Sequence, residues 1–161
     1  MSMRIGIGYD LHRTKPGKQI ILGGVEIPAP FGLEGHSDAD LLLHAITDAL
    51  LGAIGDKDIG YYFPPGDEEN RNRPSVDFLK FAHELVQKAG YSIANIDTVI
   101  ICERPKIKPV REEIKENIAL MLSLKPGQIG VKAKTSEEVG AIGRQEAMAA
   151  QAVVLLSAKP D

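Results

Sequence analysis

Asp10 and His12 stand two residues apart in an alternating run, Arg4-Ile5-Gly6-Ile7-Gly8-Tyr9-Asp10-Leu11-His12. On a β-strand that spacing points both side chains to one side, about one pleat repeat of ~7 Å apart. Two such groups converge on a cation when a third ligand arrives from another element. His44 can supply it. With Asp40 and Asp48 it forms the single ionisable stripe, at i, i+4 and i+8, of a segment otherwise apolar nearly all round. A carboxylate and two imidazoles suit zinc, and three protein ligands leave the fourth tetrahedral position open for substrate. Asp40 and Asp48, one turn either side of His44, are placed to orient its ring from behind. Asp-x-His also arises by chance, and a lone helical histidine is commonly a surface or hydrogen-bonded core residue. His83 is of that kind: it lies among Val76, Lys80 and Gln87 and is expected to face solvent without a role.

A second group of polar residues lies late in the chain. Lys132, Thr135, Ser136 and Glu137 sit where an alternating strand, Ile129 to Thr135, runs into Gly140-Ala141-Ile142-Gly143-Arg144. Glycines let backbone N–H groups approach an anion there, and Arg144 can add a fork of donors. A plain turn between two strands has the same letters. The run Cys102 to Lys108 reads equally as a charged, solvated connector.

The elements that must carry these groups follow from periodicity. The opening strand has Ile5, Ile7, Tyr9 and Leu11 on one side and Gly6, Gly8, Asp10 and His12 on the other. Ile20-Ile21-Leu22, Gly23-Gly24 and Val25-Glu26-Ile27 read as a hairpin closed by a Gly-Gly turn. Ser37, with Asp40 three residues on, fits a capping box opening a helix through about Leu51. Residues 56–74 form a long irregular segment, of the kind that is functional or mobile. Ser75 to Ala89 is an amphipathic helix ended by Gly90, Ser92 to Glu103 holds a β-rich run, and Pro109 starts another helix. Glu146 to Ser157 is ambiguous: the Ala-rich half favours helix by propensity, Val153 to Leu156 a buried strand. This order suggests a mixed sheet with helices on one face.

Composition narrows the function classes. The chain has 161 residues, 19 Lys+Arg against 22 Asp+Glu and a net charge of −3, which argues against a non-specific nucleic-acid binder. One cysteine, Cys102, excludes an internal disulfide framework. The start lacks an apolar h-region and no run is long enough to span a bilayer, so a single cytoplasmic domain over residues 1–161, with no membrane partner, is expected.

Together the segments RIGIGYDLH, IILGGVEIP, GLEGHSDADLLLHAITDALLGA, DIGYYFP, RPKI and VKAKTSEEVGAIGRQE resemble the 2-C-methyl-D-erythritol 2,4-cyclodiphosphate synthase family along the whole chain. The resemblance implies an α+β fold, a mixed four-stranded sheet with helices on one face and a small β-hairpin, assembled as a homotrimer with active sites between subunits. It makes the tail a strand near the threefold axis, where Ala147, Ala149, Ala150 and Ala152 would permit close packing. It implies zinc on Asp10, His12 and His44, and Glu137 at a second divalent site for magnesium or manganese. His36 and Thr135 match the transition-state-stabilising positions, and Ser37 faces substrate beside His36. Asp58, Ile59 and Gly60 match the segment reaching the cytidine ribose and the neighbouring substrate, continued by Phe63, Pro64, Pro65, Gly66 and Asp67. Cys102, Glu103, Arg104, Pro105, Lys106, Ile107 and Lys108, with Lys134 and Ser136, line up with the pocket for cytosine and its phosphates, and Ala141 and Arg144 fall in the last substrate segment.

Three positions depart from the family pattern: Lys134 where Thr is frequent, Ala141 where a Phe is frequent, and Pro65 where Asp is frequent. The implied reaction is closure of 4-diphosphocytidyl-2-C-methyl-D-erythritol 2-phosphate to the 2,4-cyclodiphosphate with release of CMP. A non-catalytic cytidine-nucleotide-binding trimer with structural zinc is the competing reading, and a zinc hydrolase yielding linear product a third.

Overall fold

Helix α1 (Leu41–Ala53) lies at the centre of the core, with every residue but Asp48 and Gly52 buried, as an all-round apolar helix must be. The computed structural model describes residues 2–159. The helix starts three residues later than a cap at Ser37 would place it. Ala39 takes a positive φ of 58°, which a helix cannot continue through. Ser37 Oγ accepts the Ala39 N–H, and Asp40 is the true cap, its carboxylate accepting the Leu43 N–H at 3.1 Å.

That same carboxylate reaches the hairpin. Strands β2 (Gln19–Leu22) and β3 (Val25–Pro28) pair antiparallel, and Gly23 and Gly24 take φ of 59° and 74°, the primed turn that joins twisted strands at least strain. Their N–H groups donate to Asp40 at 3.0 and 2.7 Å. Burial pushes the Asp40 carboxyl up to about 6, against the pull of these three backbone donors.

The main sheet has five strands rather than four. Its order is β4 (Gly32–Leu33), β1 (Met3–Lys15), β7 (Ala147–Ala158), β5 (Tyr91–Ile101) and β6 (Ile129–Lys134). The extra strand is the two-residue β4, too short for any periodicity; it forms because β1 runs on to Lys15 and offers Thr14 and Lys15 as partners. β5 and β6 are parallel while β7 is antiparallel to both neighbours, so the sheet is mixed. The Ala-rich tail is therefore its middle strand. Eleven paired positions with β1 and a second ladder with β5 override the local preference of alanine for helix.

α1, α3 (Ser75–Lys88) and α4 (Arg111–Met121) pack on one face of the sheet. The opposite face carries Ile5, Ile7, Tyr9 and Leu11, with Ile5 70% and Ile7 68% exposed. The apolar side of β1 thus points away from the core, and its glycines point into it. None of the helices among the described residues is long and apolar enough to cross a membrane.

Candidate metal centre and cleft

The glycine side of β1 explains how three ligands meet. A Cβ on Gly8 would lie 1.9 Å from the Ala45 carbonyl oxygen, and one on Gly6 1.9 Å from that of Ala49. Only the absence of side chains there lets α1 rest directly on β1, bringing His44 over Asp10 and His12. Asp10 Oδ2 lies 2.9 Å from His12 Nε2 and 2.9 Å from His44 Nδ1, and the two ring nitrogens are 3.3 Å apart. A tetrahedral ion with bonds of ~2.0–2.1 Å holds its ligand atoms ~3.3–3.4 Å apart. The donor set fits a divalent metal ion, with the carboxylate a few tenths of an ångström inside that spacing. Burial alone would raise the Asp10 pKa; hydrogen bonds and charge from the two imidazoles outweigh it and hold the carboxyl well below the usual range. Burial works likewise against His12, and the Asp10 carboxylate overrides it, raising that ring's pKa.

The groups behind the ligands differ from the expected ones. Asp40 is committed to backbone N–H groups, as above, and Asp48 accepts the Ile59 N–H at 2.8 Å; neither is bonded to the His44 ring. The stripe was correctly spaced, but each carboxylate satisfies the start of a chain segment instead. Behind His12 stands the Glu34 backbone carbonyl, which accepts from Nδ1. Behind His44 stands Ser75, whose Oγ is 2.8 Å from Nε2 and in turn donates to Asp38. No sequence pattern signalled Ser75, which opens a helix 31 residues further along.

A cleft of about 630 Å³ opens over the triad, walled by His36, Ser37, Ile59, Gly60, Phe63 and Pro65 among others. That volume suits a small-molecule ligand. Within the expected irregular segment, α2 (Ile59–Tyr62) is capped by Asp58, whose carboxylate accepts the Tyr61 N–H at 3.0 Å. Phe63 is fixed by ring contacts at 4.5 Å to Phe78 and 5.2 Å to Phe81. The Pro64 carbonyl accepts from the buried Asn70 side chain at 3.2 Å. Gly66 and Asp67 border a neighbouring hollow that shares His36 and Pro65. His83 is half-buried beside Gln87, away from the cleft walls.

The late residues gather elsewhere. Cys102, Glu103, Pro105, Lys106, Ile107, Lys108 and Thr135 surround a separate hollow of about 190 Å³. Register puts Asp10, Ala150, Ile100 and Ala133 in one row across β1, β7, β5 and β6. Three strand spacings of ~4.8 Å, roughly 14 Å, therefore separate the two groups within one chain. The loop after β6, expected to offer N–H groups to an anion, is already tied down: Glu103 accepts the Ser136 N–H at 2.8 Å and the Glu138 N–H at 3.3 Å. Glu137 and Glu138, at φ of 52° and 62°, are held in that turn, and Thr135 Oγ1 donates to Glu137 at 2.6 Å. The glycine segment is a short helical turn, α5 (Gly140–Gly143), with Ala141 exposed. Arg144 is paired through two contacts, at 2.9 and 3.1 Å, with Glu146, and shares a further hollow with Arg104. Lys134, by alternation from Ala133, lies on the open face of the sheet. Burial pushes the Cys102 thiol up to about 11, which suits packing and not nucleophilic attack.

Comparison with known proteins bears on this arrangement. The YgbB family model matches residues 3–157. The chain is 51% identical over 155 residues to the 2-C-methyl-D-erythritol 2,4-cyclodiphosphate synthase of Cyanothece sp., covering 96% of each chain. Among solved structures it is similar to a Plasmodium falciparum IspF complex with CDP (40% identity, TM-score 0.87, 99% of this chain and 98% of that one). It also matches the bifunctional IspDF of Campylobacter jejuni (39% identity, TM-score 0.94, 98% of this chain), of which it spans 43%.

Proposed function

The chain belongs to the YgbB family, and we infer that it converts 4-diphosphocytidyl-2-C-methyl-D-erythritol 2-phosphate to 2-C-methyl-D-erythritol 2,4-cyclodiphosphate with release of CMP. The observation that carries this reading is the convergence of Asp10, His12 and His44 at the floor of a cleft that His36 and Ser37 also wall. An oxygen of the 2-phosphate forms a bond to the β-phosphorus, and the bond from that phosphorus to the bridging oxygen breaks, the electron pair leaving with CMP. The nucleophile belongs to the substrate, so no side chain need attack. The protein must instead hold two anionic groups in line; such alignment is worth on the order of 7–11 kcal/mol.

Asp10, His12 and His44 would hold a divalent ion, zinc by the donor set, which would supply positive charge and a template for phosphoryl oxygens. His36 and Ser37 reach the same groups from the cleft rim. Phe63 and the Pro64 to Asp67 turn shape the wall, and Asp58 to Gly60 present backbone and carboxylate to a ribose. Thr135, through its hydroxyl, and Lys106 are assigned to the phosphates, and Glu137 to a second divalent ion, magnesium or manganese. The Cys102 to Lys108 hollow takes the cytosine, in keeping with the CDP named in the Plasmodium complex.

Because roughly 14 Å of sheet parts these groups from the triad in one chain, a complete site needs the triad side of one subunit against the Thr135 side of another. The reading is therefore a cytoplasmic homotrimer of one cyclodiphosphate-synthase domain, in which the exposed Ile5, Ile7, Tyr9 and Leu11 face is covered by neighbouring copies. Ile7→Asp is expected to change monomer stability by no more than ~0.5 kcal/mol, as exposed sites do, while shifting the protein to monomer in light scattering and lowering turnover. Retention of the trimer with full turnover would assign that face another role.

The reaction itself is tested by incubating zinc-loaded protein with the substrate and following CMP release together with phosphorus NMR. Stoichiometric CMP and the cyclic diphosphate signals are expected. Linear product would indicate a hydrolase, and nucleotide binding without release a non-catalytic module.

A further inference from the structure

The His44 imidazole has two edges, and the Nε2 edge is turned toward α3. Its Nδ1 points at Asp10 and His12. A neutral ring that offers the Nδ1 lone pair to a metal carries its proton on Nε2. That N–H is aimed at Ser75 Oγ, 2.8 Å away. Ser75 is fully buried. Its hydroxyl donates to one oxygen of Asp38, and its backbone N–H donates to the other at 3.0 Å. A serine hydroxyl has a single proton, so once that proton is given to the carboxylate, the oxygen can only accept from the ring. The direction of the chain is therefore set throughout: His44 Nε2–H to Ser75, Ser75 O–H to Asp38. Ser37 Oγ, at 3.3 Å from the same nitrogen, is the longer contact and lies on the cleft wall.

We propose that Ser75 and Asp38 are positioning residues of the metal centre, a relay through the buried Ser75 hydroxyl that keeps His44 in the Nε2-protonated tautomer with Nδ1 directed at the ion. The proposal rests on the metal reading of Asp10, His12 and His44. It couples three separate parts of the chain, since Asp38 precedes α1, His44 lies within it and Ser75 begins α3. Asp38, half-buried, thus holds the first residue of α3 twice, through the Ser75 backbone N–H and through the buried Ser75 hydroxyl. Outer partners of this kind typically govern metal affinity by ~10–100-fold.

The test uses the full chain. Zinc affinity is measured by competition with a chromophoric chelator, and the ring tautomer by long-range proton–nitrogen correlation on protein labelled at histidine. In the wild type, zinc binds and His44 shows a protonated Nε2. Ser75→Ala is expected to weaken zinc by ~10–100-fold and to alter the His44 nitrogen shifts, with turnover recovering when zinc is raised to saturation. Unchanged zinc affinity together with unchanged shifts would overturn the relay while leaving the metal reading intact. Failure of the wild type to bind zinc would overturn the metal reading, and the relay with it. If far-UV circular dichroism shows that Ser75→Ala does not fold, Asp38→Asn decides by the same two measurements: a loss of affinity with altered shifts supports the relay, and wild-type values sink it.

Discussion

His44→Ala is expected to lose zinc and turnover together. His44 supplies one of three ligand atoms that lie 2.9, 2.9 and 3.3 Å from one another, and its removal leaves only Asp10 and His12. Those two remain 2.9 Å apart and satisfy each other without an ion. Loss of an outer-shell partner already costs ~10–100-fold in metal affinity, so loss of a direct ligand costs more. Turnover should fall by ~10³-fold or more, since even one preorganised donor to a developing charge accounts for ~10²–10³. Atomic absorption on the purified protein and the CMP assay check this, with His83→Ala as the control. His83 lies off the cleft, and its replacement should leave both values unchanged. A His44→Ala protein that keeps stoichiometric zinc would refute the ligand assignment.

Gly8→Ala is the second large effect, and it reaches the site through the fold. The added methyl meets the Ala45 carbonyl oxygen at 1.9 Å and the Ala49 nitrogen at 2.8 Å. Both belong to the backbone of α1, so neither can rotate aside as a side-chain terminus would. Overpacking a tight interior costs typically ~1–3 kcal/mol and sometimes more; with only helix backbone at the contact, a cost of about 3 kcal/mol is expected. At ~2–4 °C per kcal/mol for a chain this size, the melting temperature should fall by roughly 6–12 °C. Relief requires α1 to lift off β1, which carries His44 away from Asp10 and His12. A misplacement of ~1 Å can cost ~10²-fold in rate, so the folded fraction should also turn over slowly. Gly127→Ala, with no atom within 4 Å of the new methyl, is the stability control and should stay within ~0.5 kcal/mol of the wild type. Equal melting temperatures for Gly8→Ala and Gly127→Ala would show that α1 does not rest on β1 in this way.

Much of the framework was legible because it is local. Alternation identified β1, β6 and the two sides of the first strand, and Gly23-Gly24 marked the hairpin turn, where both glycines take positive φ. All-round apolarity marked α1 as a buried helix. Its start was misplaced because Ala39 adopts a left-handed φ, a conformation set by the tight turn of Ser37, Asp38 and Asp40 around it and not announced by alanine. The tail's helix-favouring composition was overruled by two neighbouring strands, contacts that span most of the chain.

Residue type and spacing alone determined that a carboxylate and two imidazoles were available on a strand and a buried helix, because pleat and helix period act over a few residues. Which groups stand behind those ligands was decided only in three dimensions. Asp40 and Asp48, in step with His44 along the helix, turned to backbone N–H groups because capping a segment's start satisfies donors that have no other partner. Ser75 took the place behind the ring because α3 packs there, which depends on side-chain fit between elements far apart in the chain. The same holds for the roughly 14 Å between the triad and Thr135: strand order is a property of the whole sheet, and no stretch of residues read by itself contains it.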